Sequence, residues 1–97
     1  MQRLFAVTRT RGEAWHPGEP LEAQPSWHTH ARFMDELVAG GIVVLGGPLE
    51  GSPDVLLIMR AETPEQIVEQ LAADPWTEMQ LLRTTRISPW TLRLGSL

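Results

Sequence analysis

Apolar and polar positions along this chain alternate between a two-residue and a 3.6-residue period, and each switch marks an element boundary. Residues 3–9 (Arg-Leu-Phe-Ala-Val-Thr-Arg) are apolar through their centre and predict a first strand. Residues 12–25 carry three prolines and two glycines and predict a surface loop, in which Trp15 and His16 are the bulky members. A tryptophan there either anchors the loop to the body or lids a pocket, and anchoring is the plainer reading. From Ser26, a fair N-cap, Trp27, Ala31, Met34 and Val38 recur at helical spacing. His30 and Leu37 fall beside that stripe on its inward side, while His28, Arg32, Asp35 and Glu36 form the polar face. Gly40 and Gly41 stop the helix.

The next stretch, Ile42-Val43-Val44-Leu45, has no alternation, the mark of a strand covered on both faces. Gly46-Gly47-Pro48 predicts a bend at its end, Gly51-Ser52-Pro53 a turn, and residues 55–59 a second doubly covered strand. Thr63-Pro64-Glu65-Gln66 combines an N-cap threonine, a proline at the first helical position and a glutamine three residues after the cap. The buried stripe of that helix is Ile67, Val68, Leu71 and Ala72. Asp74-Pro75-Trp76-Thr77 reads as a second cap with a short turn. Residues 79–87 predict a fourth strand, which Pro89 interrupts. Trp90, Leu92 and Leu94 then alternate with Thr91 and Arg93, predicting a short, half-exposed extra strand.

The order β-α-β-β-α-β with a tail fits an α+β, ferredoxin-like arrangement, with both helices on one face of a four-stranded sheet. Two helices cover only one sheet face, yet the second and third strands read as apolar on both. The chain has nothing left to cover the other face, so a second copy packed sheet to sheet is expected, giving a homodimer.

Composition narrows the chemistry. Ninety-seven residues make one domain, 1–97, with a single modest core. There is no cysteine, which excludes disulfides, thiolate metal sites and cysteine nucleophiles. The net charge of −4 and eight scattered basic residues, all arginine, argue against nucleic-acid binding, which needs clustered cations. The N-terminus lacks the apolar run of a secretory signal, and no run approaches the roughly 20 residues that span a bilayer. A cytoplasmic protein with no membrane contact is expected.

Three features occur together in order and spacing. A helix carries His30-Ala31-Arg32-Phe33 followed by Leu37 and a glycine; a strand ends in Gly47-Pro48-Leu49; and Asp74-Pro75-Trp76 follows the second helix, with Ile87-Ser88-Pro89-Trp90 closing the last long strand. Together they resemble the YCII-related (YciI-like) family over nearly the whole chain, about residues 3 to 94. The resemblance implies a ferredoxin-like subunit of a dimeric α/β barrel. It also implies a histidine–aspartate pair at an active site, carried here by His30 and Asp74. A characterised relative in that family is a dehydrochlorinase of chloroaromatic breakdown. Trp27 stands where the family often has arginine, and Glu78, Met79 and Gln80 replace residues that are often small.

Each candidate has a structural and a chemical reading. A histidine on the inward side of a helix is commonly a core residue paired with a backbone carbonyl. The same residue titrates near neutrality and suits general acid–base work. Asp74 before Pro75 is a good helix cap, and its two oxygens let it also orient His30. His28 and His30 diverge by roughly 200° on a helix, so they do not chelate one metal together, and no metal or cofactor is expected. Gly47 and Pro48 would form a backbone edge of a pocket beside His30; without Gly-Lys-Ser/Thr they are no phosphate loop. Arg9 and Arg11 read as solvated, or one of them as a clamp for a substrate carboxylate. Ser52 and Ser88 have no predicted base beside them. The leading functional expectation is a small cofactor-free enzyme, lyase-like or isomerase-like, in which His30 moves a proton. The rivals are a non-catalytic dimer that binds a small molecule and a purely structural dimer.

Overall fold

The computed structural model describes residues 1–97. Its elements are β1 (Arg3–Arg11), α1 (Trp27–Ala39), β2 (Val43–Pro48), β3 (Asp54–Ala61), α2 (Pro64–Ala72), the short α3 (Pro75–Glu78) and β4 (Leu82–Trp90). The sheet order is β2-β3-β1-β4, and every neighbouring pair is antiparallel. This is the ferredoxin-like α+β arrangement that the element order predicts, the subunit fold from which α/β barrels are built.

Alternation along the central strand β1 decides where the core sits. Phe5, Val7 and Arg9 point to the helix side and are buried, while Leu4, Ala6, Thr8 and Thr10 lie on the other face, half-buried. Phe5 and Val7 meet Leu57 and Met59 of β3, Val43 of β2, Leu37 of α1, and Ile67 and Leu71 of α2 in one apolar cluster. A second cluster, Trp15, Trp76, Leu81 and Leu82, joins the 12–25 loop to α3 and the start of β4. Leu45 of β2 and Trp90 of β4 pair with Ile58 and Leu4 on the face away from the helices. They remain 51% and 40% exposed.

Several sequence expectations need correction. Ser26 makes no side-chain cap; it sits in the left-handed region (φ 56°), and only its carbonyl engages the helix, accepting from the His30 N–H. Gly46-Gly47-Pro48 is no bend but the end of β2, paired with Leu57, Leu56 and Val55. Glycine fits closely at position 46: a Cβ would lie 2.5 Å from Leu57 Cδ2 and 3.0 Å from the Leu56 carbonyl oxygen, so the buried Leu57 side chain would have to shift. Val38, Val68 and Ala72, assigned to buried stripes, face solvent. The extra strand does not form: β4 continues through Pro89 to Trp90, and residues 91–97 are irregular. Pro89 is tolerated because β4 is a sheet edge, where a missing N–H removes no ladder bond on the open side. The cap on α2 is as expected, with Thr63 Oγ1 accepting from Gln66 N. The Gln66 side chain in return accepts from Glu62 N at 2.7 Å. No helix is long and apolar enough to cross a membrane.

Candidate active site

Asp74 is the hub of the site. It is fully buried, in extended backbone just before Pro75, where its Oδ1 accepts the N–H of Trp76 at 3.0 Å and caps α3. The same carboxylate lies 2.9 and 3.0 Å from His30 Nδ1 through its two oxygens. Oδ2 also accepts from Arg9 Nη1 at 2.7 Å in a buried ion pair. Arg9 Nη2 donates to Thr77 Oγ1, whose own hydroxyl donates to the Leu71 carbonyl. Thus β1, α1, the end of α2 and α3 converge on one carboxylate.

His30 is 8% exposed, and its partner is a carboxylate rather than the backbone carbonyl a core histidine commonly finds. Its ring stacks on Trp76 at 3.8 Å between centroids and 4° between planes. Trp27 tilts against both rings, and Trp15 meets Trp76 edge to face at 5.6 Å. Trp76 is fixed in turn by its indole N–H, which donates to the Pro25 carbonyl at 2.6 Å. Trp15 therefore anchors its loop. That loop is also held from within by Gln24, 3% exposed, whose amide accepts from His16 N and donates to the carbonyls of His16 and Glu19.

The electrostatics follow from these contacts. Burial pushes the Asp74 carboxyl up. The hydrogen bonds from His30, the Trp76 N–H and Arg9, with the charge of His30, outweigh it and hold the group below its ordinary 3.8. An ionised Asp74 can only accept, so Nδ1 of His30 carries the hydrogen of that bond, and the tautomer is fixed. Nε2 has no protein partner and is not among the closed-off polar atoms, so it is the ring nitrogen open to its surroundings.

A pocket of about 330 Å³ opens at His30. Its walls come from Leu21, Trp27 and Met34 on one side, Val55, Leu57 and Leu82 from the sheet, and the backbone edge Gly46-Gly47-Pro48. A larger, open groove of about 700 Å³ runs along Arg11, Gln80, Arg83 and the outer side of α2, away from the histidine. Of the residues singled out from the sequence, His30 and Asp74 are in contact, and Arg9, Gly47 and Pro48 border the same pocket. Arg9 is not solvated: it is 1% exposed, and its Nε–H is buried without a partner. Arg11 is exposed and lies over Trp15 at 4.6 Å.

Sequence reasoning missed Arg9 as the partner of Asp74, Trp76 as the platform under His30, and the contributions of Leu21 and Asp35 to the pocket. For Arg9 the signal was present: it shares the parity of Phe5 and Val7 and so had to point inward.

The fold is that of a ferredoxin-like α+β protein, with the pocket between α1 and the sheet. No family model and no curated protein matches the chain. It is similar to a solved structure of 5-chloro-2-hydroxyhydroquinone dehydrochlorinase from Burkholderia phenoliruptrix AC1100 in complex with 2,5-dihydroxybenzoquinone, with a TM-score of 0.68 and 24% identity over 91% of this chain and 93% of that one. At that identity the likeness shows the shared fold.

Proposed function

We propose that this chain is a small, cofactor-free enzyme of the YciI-like kind, with His30 as the proton-transfer residue and Asp74 as its orienting partner. The observation that supports this most is the division of labour on the imidazole. Nδ1 is bound to an ionised, buried carboxylate, while Nε2 has no partner in the chain and the residue lines a small, largely apolar pocket. That arrangement leaves one defined atom, Nε2, to exchange a proton with a substrate, while the carboxylate on Nδ1 orients the ring and stabilises the imidazolium when it forms. The platform of Trp76 and the clamp of Arg9 on Asp74 keep both groups in place.

The reaction class is loss of HX or a proton shift in a small, cyclic organic compound. In the elimination, Nε2 takes a proton from a C–H or O–H of the substrate, and the freed electron pair forms a new π bond. The leaving halide departs with the electrons of its own bond, and the imidazolium later yields its proton to solvent. In the isomerisation, the proton returns to a different atom of the substrate. The dehydrochlorinase of similar fold supports the first form. The protein would act as a homodimer through the open sheet face, where Leu45 and Trp90 are exposed beside Leu4 and Leu56.

The test is a screen of small chlorinated and enol-forming ring compounds with wild type and His30→Gln. General acid–base catalysis contributes about 10²- to 10⁴-fold, so kcat/KM should fall by about that factor, or about 3–5 kcal/mol of barrier. A turned-over compound whose rate is unchanged in His30→Gln removes His30 from the chemistry. A ligand that binds wild type and His30→Gln alike, with no turnover, makes the protein a binder. Sedimentation showing a monomer at micromolar concentration refutes the dimer.

A further inference from the structure

Charge at the pocket points to a class of ligand it accepts and one it refuses. Three charged or chargeable groups border it, Arg9, His30 and Asp35, while Asp74 lies buried behind the first two. The Arg9 guanidinium is 1% exposed and bound to Asp74 and Thr77, so its charge is neutralised inside the protein and it offers no fork to a ligand. His30 is committed to Asp74 through Nδ1 and presents only Nε2. Asp35 differs from both. It is exposed, and it forms no ion pair and no side-chain hydrogen bond with any residue of the chain. It stands one residue after Met34 and four after Ala31, which line the same wall. The one uncompensated fixed charge at the pocket is therefore negative.

The remaining lining is apolar, from Leu21, Trp27, Met34, Val55, Leu57 and Leu82. A volume near 330 Å³ suits a molecule of one ring, at the lower end of ligand-pocket sizes. We infer that Asp35 is a specificity-determining residue: the pocket takes uncharged, single-ring ligands bearing hydroxyl groups and turns away carboxylates and other anions. A ligand carboxylate would enter a low-dielectric pocket with no free cation and with a like charge at its rim. A hydroxyl can instead donate to Nε2 or to Asp35. This rests on the proposed reading of the pocket as the place where substrate meets His30.

The experiment compares two phenols of matched shape, 4-hydroxybenzyl alcohol and 4-hydroxybenzoate, at pH 7.5. Binding is followed by quenching of tryptophan fluorescence, since Trp27 lines the pocket, and by saturation-transfer NMR. Wild type should bind the alcohol at least tenfold more tightly than the benzoate. Asp35→Asn should narrow that ratio at least threefold by tightening the benzoate alone. Asp35→Glu, which keeps the charge, should retain the wild-type ratio. Equal affinities in wild type, a ratio unchanged in Asp35→Asn, or failure of both phenols to bind at millimolar concentration overturns the inference. The ratio should persist in His30→Gln, which contributes no charge. Selectivity that survives in a chain with no turnover therefore separates failure of the catalytic reading from failure of this one.

Discussion

Replacing Asp74 by asparagine removes one charge and almost no volume, so the structure sets the cost closely. The wild-type carboxylate is fully buried and receives Arg9 Nη1 at 2.7 Å, His30 Nδ1 at 2.9 and 3.0 Å and Trp76 N at 3.0 Å. An asparagine oxygen can still cap Trp76, so the cap is largely kept. What is lost is the charge opposite Arg9, which is 1% exposed and has nowhere to go. Removing one partner of a buried pair costs about 3–5 kcal/mol, against a total of about 5–15 kcal/mol for a domain. Urea unfolding with linear extrapolation should show that loss, and the melting temperature should fall by more than about 10 °C. The double variant Arg9→Met/Asp74→Asn should recover part of it, because no unpaired charge then remains. The pH dependence gives an independent check. The folded carboxyl titrates below its ordinary 3.8, so the unfolded chain takes up this proton first as pH falls. The stability it confers is complete above about pH 4 to 5 and is lost as pH drops through the lower, folded value. In Asp74→Asn that component should be missing from the acid limb. A single variant costing under about 1 kcal/mol, or a double variant no better than the single, would refute the reasoning.

Two neighbouring glycines should respond oppositely. Gly46→Ala places a Cβ 2.5 Å from Leu57 Cδ2 and 3.0 Å from the Leu56 carbonyl, and should cost about 1–3 kcal/mol in urea unfolding. Gly47→Ala meets nothing within 4 Å and should stay within about 0.5 kcal/mol. Gln24→Ala removes the three hydrogen bonds that close the 12–25 loop. Cleavage by a glutamate-specific protease at Glu19 or Glu22 should accelerate several-fold while the melting temperature changes little, which limited-proteolysis time courses would read.

The fold was legible because period and punctuation agreed. The Thr63-Pro64 start, the Gly40-Gly41 stop and the apolar run at 55–59 each belong to one element and bound it locally, and the run at 42–45 enters β2 from Val43 onward. What failed were places where tertiary context overrides local pattern. A Gly-Gly-Pro string is a turn by composition, yet Gly46 and Gly47 continue β2 because β3 supplies the partner backbone. Pro89 looks like a break, but an edge strand does not need its N–H. Val38 and Val68 sit at stripe spacing, yet the helices roll so that Leu37, Ile67 and Leu71 take the inward positions. At the site, the His30–Asp74 pairing was carried by a resemblance in motif order, since 44 residues separate the two and no local period links them. Arg9 was readable from strand parity, but arginine biases any reading toward solvent. Its burial follows from a carboxylate 65 residues away in the sequence.

One consequence of this geometry is that stability and site organisation share the same atoms. Asp74 caps α3, neutralises Arg9 and fixes the His30 tautomer, so a change there moves folding and chemistry together. Its loss of activity would not by itself assign it a catalytic part. His30 is different: it contributes a ring stacked on Trp76 and one bond to Asp74, and its open nitrogen supports nothing else in the protein. Glutamine at position 30 can still donate to Asp74 through its amide, so most of the packing and the buried hydrogen bond can be retained while the basic ring nitrogen is lost. A stable His30→Gln protein that binds a ring ligand but does not turn it over would therefore separate the two roles that Asp74 joins.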